Sequence, residues 1–531
     1  MNVSLLIHQF KEAGITLWVE GDSLRYRAPA NTMTSERLSL LKLHKSELLQ
    51  ALATPKWISD PTNRFTPYPL TAIQSAYLLG RNKAFALGDV DCHGYLEFRF
   101  DKLDQHRLER AWQLLIARHD MLRTVVYGNG TQQTLPTVPQ VSIECKDIGS
   151  LPAEAQRQFL KQRRTTLSIY QGQPDCWPLI NLFVTQLHDV DILHISFNLL
   201  VCDFQSARLL LTQLSDAYNG QLIPEPEIQF RDYVLNSLQL RDTPSYKQAQ
   251  DYWLERIDDF PTAPALPSFS GAVSKQFYRE SFILSPEQFA QLTKWSAANE
   301  IGINALFVTL YALTLQRWGA GNHFGLSLTM MQRHPLHHAV DQVIGDFSAI
   351  ELLEINLVSQ LNVVEQVKVV QDRLWRDLDH SLFTGIDLLR ELARRRGRET
   401  ALYPVAFTSA ISDGSDCCTH LMKGARQTYG ITQTPQVALD CQIVPGENGL
   451  NINWDIREGT LENHTCIEMF DAFRNTILTL CQDESAWLRP ITIPLPEVQT
   501  QRHQTFNATE LALSEGLIHT PVWQLSTTGK K

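Results

Sequence analysis

From Phe65 onward, strand-like and helix-like patterns alternate along this chain, and they do so in two successive stretches. Leu103 to Arg118 carries apolar residues at helical spacing. Val190 to Phe197 is a short apolar run that reads as a buried strand, and Phe204 to Tyr218 as a helix. A second half begins near Leu240 and alternates in the same way, with a strand at Tyr278 to Leu284, a helix at Ala305 to Trp318 and a strand at Phe324 to Met330. No residue-level repeat relates the halves. At 531 residues, two to four domains are expected, and such alternation builds a layered α/β fold of two similar-sized halves.

The first fifty-odd residues form a separate small unit. Leu6, Phe10 and Ala13 fall at helical spacing from Val3 to Ala13, and Gly14 stops the helix. Ile15 to Val19 and Ser23 to Arg27 read as two strands around a Glu20-Gly21-Asp22 turn. Thr34-Ser35-Glu36 opens a helix expected to run to about Leu52. On the second strand, alternation puts Arg25 and Arg27 on one face and Leu24 and Tyr26 on the other. A small helical cap packed on the next domain is the other reading of this unit. Thr54-Pro55 to Pro61-Thr62-Asn63 has linker composition.

Short motifs follow in a fixed order. They are Pro69-Leu70-Thr71-Ala72-Ile73-Gln74-Ser75-Ala76-Tyr77-Leu78-Leu79-Gly80-Arg81, Arg118-His119-Asp120-Met121-Leu122-Arg123 and Pro261-Thr262-Ala263-Pro264-Ala265-Leu266-Pro267. Ile344-Gly345-Asp346-Phe347-Ser348, Pro404-Val405-Ala406-Phe407-Thr408-Ser409 and Gln433-Thr434-Pro435-Gln436-Val437-Ala438-Leu439-Asp440 complete the series. In this order they resemble the heterocyclization domains of nonribosomal peptide synthetases, in the condensation-domain superfamily. The N-terminal unit resembles a docking domain of the TubC type.

The resemblance implies two chloramphenicol-acetyltransferase-like lobes in a V-shaped pseudo-dimer, preceded by a small α+β docking domain. The division expected is 1–54 docking domain, 55–64 linker, 65–239 N-terminal lobe, 240–500 C-terminal lobe and 501–531 linker or tail. The stretch from Phe506 to Trp523 resembles the linker before an adenylation domain, and none follows. Either an excised part of a larger synthetase or a free-standing subunit is therefore expected.

By resemblance, the activity joins a carrier-bound acyl or peptidyl thioester to carrier-bound Cys, Ser or Thr. The new amide is then cyclodehydrated to a thiazoline or oxazoline. No cofactor or metal is implied, because substrates ride on the 4'-phosphopantetheine of upstream and downstream carrier proteins. The docking unit implies a further partner, the C-terminal tail of an upstream synthetase or polyketide synthase subunit, for which Arg25 and Arg27 are the candidate contacts. A variant that stops at the amide, and a non-catalytic carrier-docking subunit, are the alternatives.

The resemblance assigns catalysis to Thr408 and Asp440. A buried Asp can shuttle protons near neutral pH, and a neighbouring hydroxyl can orient it. Four residues are expected to support the site. Asn198 and Asp203 stand where the family carries Asp-x-x-x-x-Asp, and Asn198 lacks the charge of the first acid. Asp203 is expected to pair with Arg333 across the cleft, and Gln332 replaces a family Asn. Ala438 replaces an aromatic residue and is expected to widen the pocket beside Asp440.

His334, His337, His338 and Asp341 crowd one segment, which reads as a polar loop without a helical or Cys-rich metal frame. His194 reads as a core-strand histidine. The formal charge of -10, with no long basic run, argues against nucleic acid. No apolar stretch reaches membrane-span length, and the N-terminus lacks a basic lead, which argues against a signal peptide. Nine cysteines without paired spacing, including Cys417-Cys418, fit reduced thiols in the cytoplasm.

Overall fold

The computed structural model describes residues 6, 10, 13–20, 23–29, 32–45, 48–49, 57–169, 172–267, 273–411 and 419–509. Most of the expected first helix, the Gly21-Asp22 turn, Cys417-Cys418 and the tail beyond Thr509 lie outside these. The seven cysteines of the described residues are free thiols.

Strands β1 (Thr16–Glu20) and β2 (Ser23–Arg27) pair antiparallel as a hairpin. Leu6, Phe10, Ile15, Leu17, Leu41 and Leu48 form its core. The helix opened by Thr34 covers Ser35–Leu43, with Thr34 Oγ1 accepting from the Arg37 N–H. It breaks at His44, and the expected end at Leu52 lies outside the described residues. Described residues Lys45, Leu48 and Leu49 are helical again beyond that break.

The body follows with β3 (Tyr68–Pro69), β4 (His93–Phe100), β5 (Thr124–Val126), β6 (Thr131–Thr134), β7 (Glu144–Asp147), β8 (Ile180–Gln186) and β9 (Asp191–Asn198). The second half adds β10 (Phe277–Leu284), β11 (His323–Met331), β12 (Ser348–Asn356), β13 (Val405–Ser409), β14 (Ala425–Gln433), β15 (Leu439–Gly446) and β16 (Gly449–Arg457). Three sheets result, in the orders β14-β4-β9-β8-β7, β10-β16-β15-β13-β11-β12 and β3-β6-β5.

β9 is buried along nearly its whole length, as its apolar run requires. Helices Gln105–Arg118 and Phe204–Tyr218 pack beside each other against this first sheet. Helix Ile303–Leu315 is buried on nearly every side beneath the second sheet, with Trp454 and Phe473 against Tyr311. Among the described residues no single helix is long and apolar enough to cross a membrane.

The sheets do not divide at residue 240. β14, from the second half, leaves its neighbours and pairs antiparallel with β4 of the first sheet. Bonds from the Thr432 N–H and hydroxyl to Asp455 Oδ2, at 2.9 and 2.8 Å, tie this strand back to β16. A strand that hydrogen-bonds one sheet and bonds through side chains to the other couples the two halves.

Candidate active site

A cavity of about 480 Å³ lies between the two large sheets. The pleat decides what faces it. On β15, Leu439, Cys441 and Ile443 enter the core while Asp440, Gln442 and Val444 face the cavity. On β13, Val405 and Phe407 go inward, and Ala406 and Thr408 face the cavity. The parallel pairing of β13 with β15 brings the two functional strands together.

Thr408 Oγ1 donates to Asp440 Oδ1 at 2.9 Å, so the two residues singled out from sequence are in contact. Gln442 Nε2 donates to Asp440 Oδ2 at 2.7 Å. Protein surrounds Asp440 except where the cavity reaches it, and this burial pushes its carboxyl up to about 6. The Gln442 and Thr408 bonds and the Arg279 charge pull the other way, while the charge of Asp455, directly opposite on β16, adds to the rise.

Behind Asp440 stands a polar network not singled out from sequence. Arg279 makes a bidentate pair with Asp455 at 2.6 and 2.5 Å, and its second nitrogen also donates to Gln442 Oε1 at 3.0 Å. Gln442 Nε2 reaches Thr432 Oγ1 at 2.6 Å. Gln442 is thereby held at both ends of its amide, which fixes the orientation it presents to Asp440. Its place two residues after Asp440 on a strand was the available signal; the cross-strand pairing of Arg279 with Asp455 had none.

Of the four supporting residues, Asp203 lines the cavity and the others lie behind it. Asp203 caps helix Phe204–Tyr218, accepting from the Ser206 N–H at 2.6 Å, and its other oxygen accepts from the Phe347 N–H at 3.1 Å. Arg333 NH2 lies 3.4 Å from Asp203, with both side chains at most 5% exposed. The same nitrogen donates to Ser206 Oγ at 2.9 Å, and NH1 to the carbonyls of Val340 and Val343 at 2.9 and 2.8 Å. The guanidinium rests on the Phe347 ring. The expected pair is present, as one long contact inside a larger cluster.

Asn198 ends β9, is 6% exposed, and accepts from the Leu200 N–H through Oδ1 at 3.1 Å. It closes a turn and is not on the cavity wall. Gln332 donates to Ser381 Oγ at 3.1 Å. Ala438 does not widen the pocket as expected: Val437 lines the cavity, and Ala438 is buried outside it, its N–H on the Pro404 carbonyl. His194 is fully buried between Tyr95 and Thr185, and burial lowers its pKa to about 4.

Asp346, beside Asp203, is pushed up to about 8, first by burial and then by the Asp203 charge. The folded protein thus holds this proton more tightly than the unfolded chain. The stability it contributes is full below the ordinary carboxyl range and is lost as pH rises through about 8. Asp346→Asn should therefore flatten the fall in thermal midpoint between pH 5 and pH 8, read by calorimetry.

At the N-terminal unit, Arg27 is engaged by the histidine-rich segment. It donates to the His338 carbonyl at 2.6 Å and lies 3.8 Å from Asp341. The histidine-rich loop therefore meets the hairpin. It also brings His337 and His338 together with Glu227, their ligand atoms within 4.8 Å of one another.

Two large sheets thus bound one cavity, and a carboxyl hydrogen-bonded to a threonine hydroxyl lies in its wall. The chain belongs to the condensation-domain family, whose model matches residues 66–501; residues 3–53 match the TubC N-terminal docking domain. It is 35% identical over 493 residues to pyochelin synthetase PchF of Pseudomonas aeruginosa, covering 92% of this chain and 27% of that one. It is 29% identical over 506 residues to phenyloxazoline synthase MbtB of Mycolicibacterium paratuberculosis, covering 94% of this chain and 43% of that one. The crystallised cyclization-docking bidomain of the EpoB nonribosomal peptide synthetase from Sorangium cellulosum superposes with a TM-score of 0.78 at 27% identity. That match covers 92% of this chain and 100% of the bidomain. The chain thus spans about a quarter of pyochelin synthetase PchF.

Proposed function

We propose that this chain is a heterocyclization enzyme of a nonribosomal peptide synthetase. It joins an acyl or peptidyl thioester on an upstream carrier protein to the amine of Cys, Ser or Thr on a downstream carrier. The C–N bond forms, the thioester C–S bond breaks, and the upstream thiol is released. The acceptor side chain then attacks the new amide carbon. The former carbonyl oxygen leaves as water, with one proton from the thiol or hydroxyl and one from the ring nitrogen, giving a thiazoline or oxazoline.

Asp440 moves those protons: as carboxylate it accepts one, and as acid it hands one to the leaving hydroxyl. Thr408 orients it, and Gln442 holds the second oxygen. The carboxyl held near 6 in the wall of an enclosed cavity carries this reading, because such a group is populated in both states at working pH. Asn198, Asp203, Arg333 and Gln332 maintain the opposite wall. The substrates arrive on 4'-phosphopantetheine arms, the domain itself contributes no cofactor, and the reaction belongs to the cytoplasm. Purified protein with loaded carriers, followed by mass, tests the proposal: product lighter by one water than the amide supports it, and its absence overturns it.

Asn198 gives a second reading, an enzyme that stops at the amide. Its amide only closes a turn, so Asn198→Asp should leave the ratio of ring to amide unchanged, as read by mass. A clear rise in that ratio would favour the second reading.

The N-terminal unit docks the acidic C-terminal tail of an upstream synthetase or polyketide synthase subunit, added as a strand beside the hairpin. Arg25 and Arg27 would meet the tail, which must then compete with Asp341 for Arg27. Deleting residues 1–53, or Arg25→Glu with Arg27→Glu, should lower transfer from the intact upstream partner severalfold at limiting concentration. Transfer from an excess of isolated carrier should be unaffected in the same assay.

A further inference from the structure

Arg208 is a half-buried arginine on the cavity-facing side of helix Phe204–Tyr218. Among the described residues no carboxylate pairs with it; the one hydrogen bond it makes is to Thr419 Oγ1, at 3.4 Å. Burial alone holds its pKa below the usual arginine value, with no acid to offset the loss of water. A guanidinium without a carboxylate among the described residues, in a cavity wall, suits an anion carried by a ligand.

Its position says which anion. The Thr419 N–H donates to the Gly446 carbonyl at 2.7 Å, which places Arg208 at the Gly446–Gly449 turn joining β15 to β16. Arg426, on β14, lines the same end of the cavity. Glu447 lines it too, with its carboxylate accepting from the Gln427 N–H at 3.0 Å. The other end holds Asp440, reached from β14 through Thr432 and Gln442. From Thr432 back to Arg426 the strand spans about 20 Å at ~3.3 Å per residue. A pantetheine arm from phosphorus to sulfur has roughly thirteen bonds, or about 15 Å at three bonds per ~3.5 Å. The arginine side chain spans the remainder.

We propose that Arg208, with Arg426 lining the same cavity, binds the phosphodiester of a carrier protein's 4'-phosphopantetheine arm at the Gly446–Gly449 turn, setting the thioester at the depth of Asp440. This rests on the reading above that carrier-bound thioesters are the substrates. The anchor fixes the arm at its charged end, so chain length alone delivers the reacting carbon to Thr408 and Asp440.

The test is carrier affinity, measured by calorimetry with the full chain. The upstream and downstream carriers are each titrated in the holo form, with the arm, and in the apo form, without it. Arg208→Gln should weaken one holo carrier about tenfold and leave both apo carriers unchanged. Arg208→Lys should recover part of the loss. The carrier affected identifies whose arm enters at this turn. A second arm compares soluble acyl-pantetheine with acyl-4'-phosphopantetheine as substrate, where Arg208→Gln should raise KM for the phosphorylated form alone. Equal weakening of holo and apo carriers, or unchanged holo affinity for both, would overturn the proposal. Binding does not require ring closure. Protein that anchors holo carriers through Arg208 yet releases no water would sink the heterocyclization reading and leave this one standing.

Discussion

Asp440→Asn and Asp440→Ala should each lower ring formation by about 10²–10⁴-fold while amide still accumulates. Amide formation from a thioester starts from an activated carbonyl, whereas expelling water from a hydroxy-azolidine needs a proton delivered to a poor leaving group. Loss of the shuttle therefore falls on the second step. Reconstituted reactions quenched over time and read by mass give both products at once, and ring formation at the normal rate in either variant would remove Asp440 from the mechanism. Stability separates this from misfolding. The folded carboxyl, at about 6, lies above its ordinary value, so the stability it contributes is full below the ordinary range and is lost as pH rises through about 6. Above that pH the folded chain keeps a poorly solvated charge. Asp440→Asn removes the charge and should raise stability at pH 7.5 by up to about 3 kcal/mol, with little change at pH 4. A variant that is more stable and no longer closes rings has lost chemistry, not structure. In the parent enzyme, the rate of ring closure should show a limb near pH 6.

Helix Phe204–Tyr218 was legible residue by residue because its start is local: Asp203 caps it and the apolar spacing follows at once. Thr408 and Asp440 were legible only through the order of motifs, since a Thr and an Asp on separate strands carry no signature of contact. Gln442 was half legible, by alternation from Asp440. Arg279 and Asp455 were hidden because cross-strand register is a tertiary property, and nothing near either residue names its partner. The departure of β14 was hidden for the same reason: a strand's alternation does not say which sheet it will join. The break at His44 in the helical segment after Thr34 was hidden because His44 is neither Gly nor Pro. Arg25 and Arg27 were correctly placed on one face by period, yet the engagement of Arg27 by Asp341 depends on a loop from the far half of the chain.

Asp203→Ala and Arg333→Ala should each destabilise the fold by about 3–5 kcal/mol, and amide and ring should fall together. Each change strands groups that cannot reach water. Without Arg333, the Val343 carbonyl loses the guanidinium, the Val340 carbonyl is left with the Val343 N–H alone, and Asp203 faces Asp346 without its arginine. Without Asp203, the helix loses its cap, the Phe347 N–H loses its acceptor, and Arg333 keeps a buried charge. Because Asp203 and Phe204 line the cavity, movement of this helix start displaces both substrates before either step, so the ratio of ring to amide stays constant. The pair shares Ser206 and the Gly345–Phe347 segment, so the two losses overlap. The double variant should fall short of the sum by about 0.5–3 kcal/mol in a double-mutant cycle of urea unfolding. Strict additivity would mean that the 3.4 Å contact carries no energy and that the Ser206 and backbone bonds to Gly345 hold the helix start to the second half.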